Sequence, residues 1–235
     1  MKTCLIKQPA GIGDIFALQK IVHMYLNFGF IVIYPVLPQL LYINDYIQHP
    51  NLKFIDINSK FEHRDLYMST HNTPCEIDEC HYLPFDHACM TQPGCVIRAK
   101  YNLIGVDWTD WSDYLVFNRN LEKEDKLFYE ILGLTDNINY NLINKLFGTQ
   151  PGSFIKHEVK SNNNLTNVDI RYIDGYTIFD WCKVIERASN IFTVDTALLF
   201  LIEKLTLNSK ELHMWARFDD YTSITGLFNK DWIYN

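Results

Sequence analysis

Apolar positions along the chain fall into two repeating patterns, and their order predicts the architecture. Residues 3–8, with Cys4, Leu5 and Ile6 in succession, form a buried strand. Over 14–28, Ile15, Leu18, Ile21, Val22, Tyr25 and Leu26 recur at helical spacing and share one face. Gly29 is placed to stop that helix. The run Phe30-Ile-Val-Ile-Tyr34 is β-branched and aromatic, a second buried strand. A helix over 39–47 and a strand from Lys53 to Ile57 complete β-α-β-α-β, the first half of a parallel, doubly wound sheet.

From 60 to 120 the pattern is irregular and crowded with His, Cys, Pro and aromatic residues. Helical spacing resumes over 94–104 and 121–132, and the polar stretch Gly133 to Asn139 reads as a linker. Beyond it come strands at 141–147 and 168–173 and a helix over 178–188. The strand 191–194, the helix 196–205 and the strand 211–216 follow. The expected fold class is therefore α/β, with two Rossmann-like units facing across a cleft. The first spans 1–135 and carries an insertion at about 60–115; the second spans 136–235. There is no solenoid repeat and no low-complexity tract.

Two junctions stand out against this frame. The first strand runs into Gly11-Ile12-Gly13-Asp14 and then a helix; the strand Ile191-Phe-Thr-Val194 runs into Asp195-Thr196-Ala197 and then another helix. Each sets a carboxylate where a strand tip meets a helix start, the place where open α/β sheets bind ligands.

Composition narrows the partners. In a chain of 235 residues with 48% apolar content, a net charge of -7 and no basic run argue against nucleic acid and against an anionic membrane surface. No stretch reaches the roughly 18 apolar residues of a membrane span, and the short apolar run after Lys2 is no signal peptide. The expectation is a cytoplasmic protein without a transmembrane segment, with its six cysteines as thiols. The sequon at Asn164 then has no role. The segment with His71, Cys75, Cys80, His81, His87, Cys89 and Cys95 has zinc-ligand types. It lacks a Cys-x2-Cys knuckle or His pair, so no metal is expected. P-loop, dinucleotide and nucleophile-elbow motifs are absent, which lowers kinases, NAD enzymes and hydrolases.

The run from Tyr176 to Ala197, ending Val-Asp195-Thr196-Ala197, resembles the donor-binding segment of heptosyltransferase-like glycosyltransferases of the GT-B fold. Gly11-Ile12-Gly13-Asp14 resembles the same family's first loop, a Gly-Asp pair ahead of a long helix. That family usually has Gly where this chain has Ala197, and a His where it has Phe200. The resemblance implies a metal-independent, inverting transfer of a sugar (hexosyl or heptosyl) from a nucleotide-sugar donor to a hydroxyl on a glycan or lipid-linked acceptor. No cofactor is required.

Under that reading Asp14 is the base that takes the acceptor's proton, and Gly11 and Gly13 keep the loop open to substrate. The alternative is that Asp14 caps its helix. The helix start at Thr196 and Ala197 offers free N–H groups and a dipole to a diphosphate, while Asp195 orients hydroxyls or serves as an N-cap. Lys145, Arg171 and Arg217 are candidate cations for the diphosphate, or solvated surface charges. Arg98-Ala-Lys100-Tyr101 and Asp107-Trp108-Thr109-Asp110-Trp111 combine charge with aromatics and suit an acceptor sugar ring, or else pack into the core. Two other readings stay open: a sugar- or nucleotide-binding protein without turnover, and a nucleotide-sugar epimerase.

Overall fold

The computed structural model describes residues 1–8, 11–57, 77–83, 95–146, 157–161, 163–217, 221 and 224–235. The chain divides into two compact units, Met1–Asn118 and Arg119–Asn235. The division falls upstream of the 133–139 stretch read as a linker, because the helical segment after Asn118 packs with the second unit. Its anchor is Arg119, whose Nε donates to Glu124 Oε1 at 2.8 Å and whose Nη1 donates to Glu186 Oε1 at 2.8 Å. Glu124 is buried and also accepts from the Lys183 backbone N–H at 3.0 Å. Its hydrogen bond to Arg119 holds the guanidinium charged even above its usual range.

In the first unit, β1 (Thr3–Lys7), β2 (Ile31–Val36), β3 (Leu52–Asp56) and β4 (Glu79–Tyr82) form one sheet in the order β3-β2-β1-β4. All pairings are parallel. The expected helix over 14–28 is two pieces, α1 (Ile12–Ala17) and α2 (Gln19–Asn27). Gly29 ends α2 as expected. It takes φ +82°, and its N–H and that of Phe30 bond back to Leu26 and Tyr25, a Schellman turn. The 39–47 helix is instead a 3-10 segment, Pro38–Asp45. Strand β4 lies inside the stretch that looked irregular; its four residues are all half-buried and show no alternation to read. Helix α3 (Cys95–Ile104) then returns to pack its Tyr101, fully buried, against α1.

In the second unit, α4 (Leu121–Asp125) continues into a π-helical turn, Lys126–Ile131. The strands are β5 (Tyr140–Asn144), β6 (Thr166–Asp169), β7 (Asn190–Val194), β8 (Glu211–Trp215) and β9 (Trp232–Tyr234), with order β6-β5-β7-β8-β9 and every pair parallel. Strand β9 carries no signal in the apolar pattern. Helices α5 (Cys182–Arg187) and α6 (Ala197–Lys204) follow β6 and β7. Residues Leu198 to Glu203 of α6 are all buried, as an all-round apolar sequence requires. Buried strands must satisfy their polar side chains. Asn141 on β5 does so across the sheet. Its Nδ2 donates to Asn167 Oδ1 on β6 at 3.0 Å, and its Oδ1 accepts from Asn190 on β7 at 3.0 Å.

Candidate functional site

Strand order fixes where each sheet can bind. In the first, the chain builds outward from β1 to β3 and then crosses to place β4 on the other side of β1. In the second, it places β6 on one side of β5 and the remaining strands on the other. Open α/β sheets bind ligands beyond the carboxyl ends of the two strands at which the order reverses. Those are β1 and β4 in the first unit, β5 and β7 in the second. Both strand-helix junctions singled out in the sequence lie at these points.

At the first, Gly11 is the N-cap of α1 and makes no side-chain cap bond. Its φ of -79° is open to any residue, and a Cβ there would meet nothing within 4 Å, so neither backbone nor packing calls for glycine. Gly13 lies in the first turn, as does Asp14, which therefore is not the cap. Asp14 Oδ1 accepts from Lys100 Nζ at 2.7 Å, and the same ammonium donates to Gln8 Oε1 at 2.9 Å. Lys100 and Gln8 are buried, whereas the Asp14 side chain keeps 20% of its surface exposed. Asp14 Oδ2 has no partner among the described residues.

The sequence groups Lys100 with the acceptor-side charges; its pairing with Asp14 is what the sequence does not show. It follows Arg98 on α3, 86 positions from Asp14, and no local spacing links the two. What seats it is Tyr101, whose hydroxyl donates to the Ala17 carbonyl of α1 at 2.6 Å. Burial pushes that phenol up, so it stays a donor at any ordinary pH.

At the second junction the groups are neutral. Thr196 is the N-cap of α6, and its Oγ1 accepts from the Leu198 N–H at 3.3 Å. Asn144, the last residue of β5, donates through Nδ2 to Thr193 Oγ1 at 2.9 Å and to Thr196 Oγ1 at 3.2 Å. With two donors aimed at it, the Thr196 hydroxyl is left to act as a donor itself. Asn144 is 2% exposed, yet its Oδ1 has no hydrogen-bond partner among the described residues. Ala197 is the first residue of α6. Asp195 precedes the cap, half-buried, and its backbone N–H bonds to the Trp215 carbonyl at 2.8 Å.

The other candidates separate. Lys145, just past β5, pairs with Asp169 at 3.2 Å, both half-exposed. Arg171 and Arg217 are exposed just beyond β6 and β8. Arg98 is half-buried on α3. Asp107 is exposed, and the Thr109 hydroxyl at 2.5 Å holds its carboxyl below the usual range. Trp108 is half-buried beside it, but Trp111 is fully buried and belongs to the core, not to a sugar platform. Among the described residues no three His, Cys, Asp or Glu side chains come together to hold a metal. His71, Cys75, His87 and Cys89 lie outside the described residues, as does the Cys95 side chain. Cys4 is buried and its thiol is pushed up to about 12, so it is inert. No helix among the described residues is long and apolar enough to cross a membrane.

Neither protein-family descriptions nor curated proteins match this sequence. Solved structures do. The chain is similar over its full length to the glycosyl transferase family 9 protein from Veillonella parvula DSM 2008, at 11% identity and a TM-score of 0.59, covering 86% of that chain. It is similar over its full length to the iron-containing dodecameric glycosyltransferase TibC from enterotoxigenic E. coli H10407, at 9% identity and a TM-score of 0.53. There it spans 63% of that chain. The likeness is one of fold: this chain has the parallel, Rossmann-like α/β fold found in these two glycosyltransferase structures.

Proposed function

We propose that the protein is a glycosyltransferase that moves a sugar from a nucleotide-sugar donor to a hydroxyl acceptor, with inversion and without a metal. The observation that carries this reading is the coincidence of both strand-helix junctions with the strand-order reversals of two parallel sheets, in a fold shared with glycosyltransferase structures. The second unit takes the donor. Its diphosphate meets the N–H groups of Ala197 and its neighbours, the donor hydroxyl of Thr196, and the nearby Lys145 and Arg171. Asp195 orients a hydroxyl of the same ligand. The first unit takes the acceptor, with Arg98, Asp107 and Trp108 among its contacts and Gly11 and Gly13 leaving room at the loop. Asp14 Oδ2 takes the acceptor's proton as the oxygen attacks the anomeric carbon and the bonding pair leaves with the diphosphate. The protein acts in the cytoplasm.

A second reading, a nucleotide or sugar binder without turnover, is favoured by Phe200. Where the resemblance would put a histidine, this ring is buried and stacks edge-on against Phe228 at 5.1 Å, offering nothing to a ligand. A panel of uridine, guanosine and adenosine diphosphates and their sugars tests both. A nucleotide at 100 times its dissociation constant adds about 2.7 kcal/mol of stability. Slow hydrolysis of the matching nucleotide-sugar, unchanged by EDTA, supports the transferase. Binding without hydrolysis supports the binder, and no shift with any nucleotide overturns both.

A further inference from the structure

We infer that Lys100 is a positioning residue for the base, and that Gln8 in turn holds Lys100. This rests on the reading of Asp14 as the group that takes the acceptor's proton. The Lys100 side chain is fully buried, and a desolvated ammonium requires partners on the spot. It has two: Gln8 Oε1 at 2.9 Å and Asp14 Oδ1 at 2.7 Å. The two differ in kind. Gln8 is buried and directly follows the last residue of β1, whereas Asp14 reaches the surface in the first turn of α1. The ammonium therefore ties a mobile class of side chain to a fixed one, and it does so through one carboxylate oxygen only. Oδ1 is occupied and turned inward; Oδ2 is left as the oxygen that meets substrate.

Stability alone gives no reason to keep such a pair, since well-packed apolar residues in place of a buried ion pair are often as stable or more so. Catalysis does give one. A base must sit in a single orientation at hydrogen-bond distance from the proton it takes, and a misplacement of about 1 Å costs on the order of 10²-fold in rate. When Asp14 takes up the proton, its negative charge is lost, and the ammonium keeps its bond to Gln8. No step leaves Lys100 without an acceptor. A partner supplied by α3, far along the chain, also explains why Tyr101 beside it is anchored to the Ala17 carbonyl. That bond holds α3 and α1 in the register the pair needs.

The test is a double-mutant cycle on hydrolysis of the nucleotide-sugar selected by the panel, with melting temperature followed for every variant. Lys100→Met alone is expected to lower kcat about 10²-fold and to leave the dissociation constant of the nucleoside diphosphate unchanged. On an Asp14→Asn background the same substitution should lower it no further, because residues acting as a unit are not additive. Equal losses on both backgrounds, or no loss on the wild-type background, overturn the inference. A wild-type rate in Asp14→Asn itself overturns the base reading instead, so the two failures are distinct. Gln8→Met is the second variant should Lys100→Met not fold; it should lower kcat in the same way but by less, and an unchanged kcat overturns the inference. A crystal structure of either variant gives an answer that needs no turnover. Asp14 in more than one rotamer supports the inference, and Asp14 held in its wild-type rotamer overturns it.

Discussion

At the tip of the first sheet the polar groups carry charge; at the tip of the second they are neutral. Lys100, Gln8 and Asp14 form a chain that ends in one open carboxylate oxygen. Asn144, Thr193 and Thr196 form a chain that ends in a buried, unpaired amide oxygen and a spare hydroxyl proton beside a helix start. The contrast within the second sheet is just as informative. Asn141 and Asn144 lie three residues apart on β5, both buried. Asn141 has partners on both neighbouring strands, while Asn144, at the carboxyl end, has an acceptor to spare. Leaving a buried acceptor unpaired costs about 1–3 kcal/mol, so such a group calls for an explanation, and the end of the sheet on which it lies supplies one. On the proposed reading, the first tip holds the base and the second receives the donor.

The largest effect should come from breaking the charged tip. Asp14→Asn removes proton uptake while keeping shape, and turnover of the nucleotide-sugar should fall on the order of 10²–10⁴-fold. From the sequence alone one would expect stability to be unaffected, since Asn caps as well as Asp. The structure revises that: Asp14 is not the cap, and Lys100 loses its counter-charge. A loss of about 1–3 kcal/mol is expected in a urea titration, with nucleotide affinity unchanged.

Next comes the neutral tip. Thr196→Trp places a bulky ring at the start of α6 and should abolish the nucleoside-diphosphate thermal shift, about 2.7 kcal/mol at 100 times the dissociation constant. Donor binding should be lost with it, the reverse of the Asp14→Asn pattern. A full thermal shift in this variant would falsify the assignment of the donor to the second unit.

Thr196→Val keeps the size and removes only the hydroxyl. It deletes the cap bond to Leu198 and one partner of Asn144, and should cost about 1 kcal/mol in unfolding free energy. If the variant is as stable as wild type, the hydroxyl is no cap and the Asn144 chain ends elsewhere.

The smallest effect concerns pH, and it falls in the first unit. His23 on α2 is lowered from its usual 6.5, chiefly by burial and further by His49. The unfolded chain thus takes up this proton at a higher pH than the folded one. The stability that neutral His23 contributes is complete above 6.5 and is lost as pH falls from there toward the folded value. His23→Gln should reduce the drop in urea midpoint between pH 7.5 and pH 5 by a small margin; an identical drop would assign the acid sensitivity to other groups.

Much of this was legible in the sequence, and the reason is locality. The apolar runs of β1, β2, β3, β5, β7 and β8 and the amphipathic spacing of α2 are properties of a few neighbouring residues. So is the Schellman turn at Gly29, whereas the cap of α6 is Thr196 and not Asp195. Those local signals sufficed for a parallel α/β chain and for both strand-helix junctions. What they could not carry is whatever depends on residues distant in sequence. Strand β4 shows no alternation because all four of its residues are half-buried, so only its pairing with β1 reveals it. The first unit ends at Asn118 rather than in the polar stretch after Gly133, because a buried carboxylate, Glu124, draws Arg119 and α4 onto α5. Trp108 and Trp111 share one sequence environment, yet one is half-buried and the other lies in the core. Lys100 looked like one more charge beside Arg98 until the fold brought α3 over α1 and buried it against Asp14. Local sequence determined which segments are strands and helices and where a carboxylate meets a strand tip. Only the tertiary structure decided which partner that carboxylate has, because burial and ion pairing are settled by what the rest of the chain packs against it.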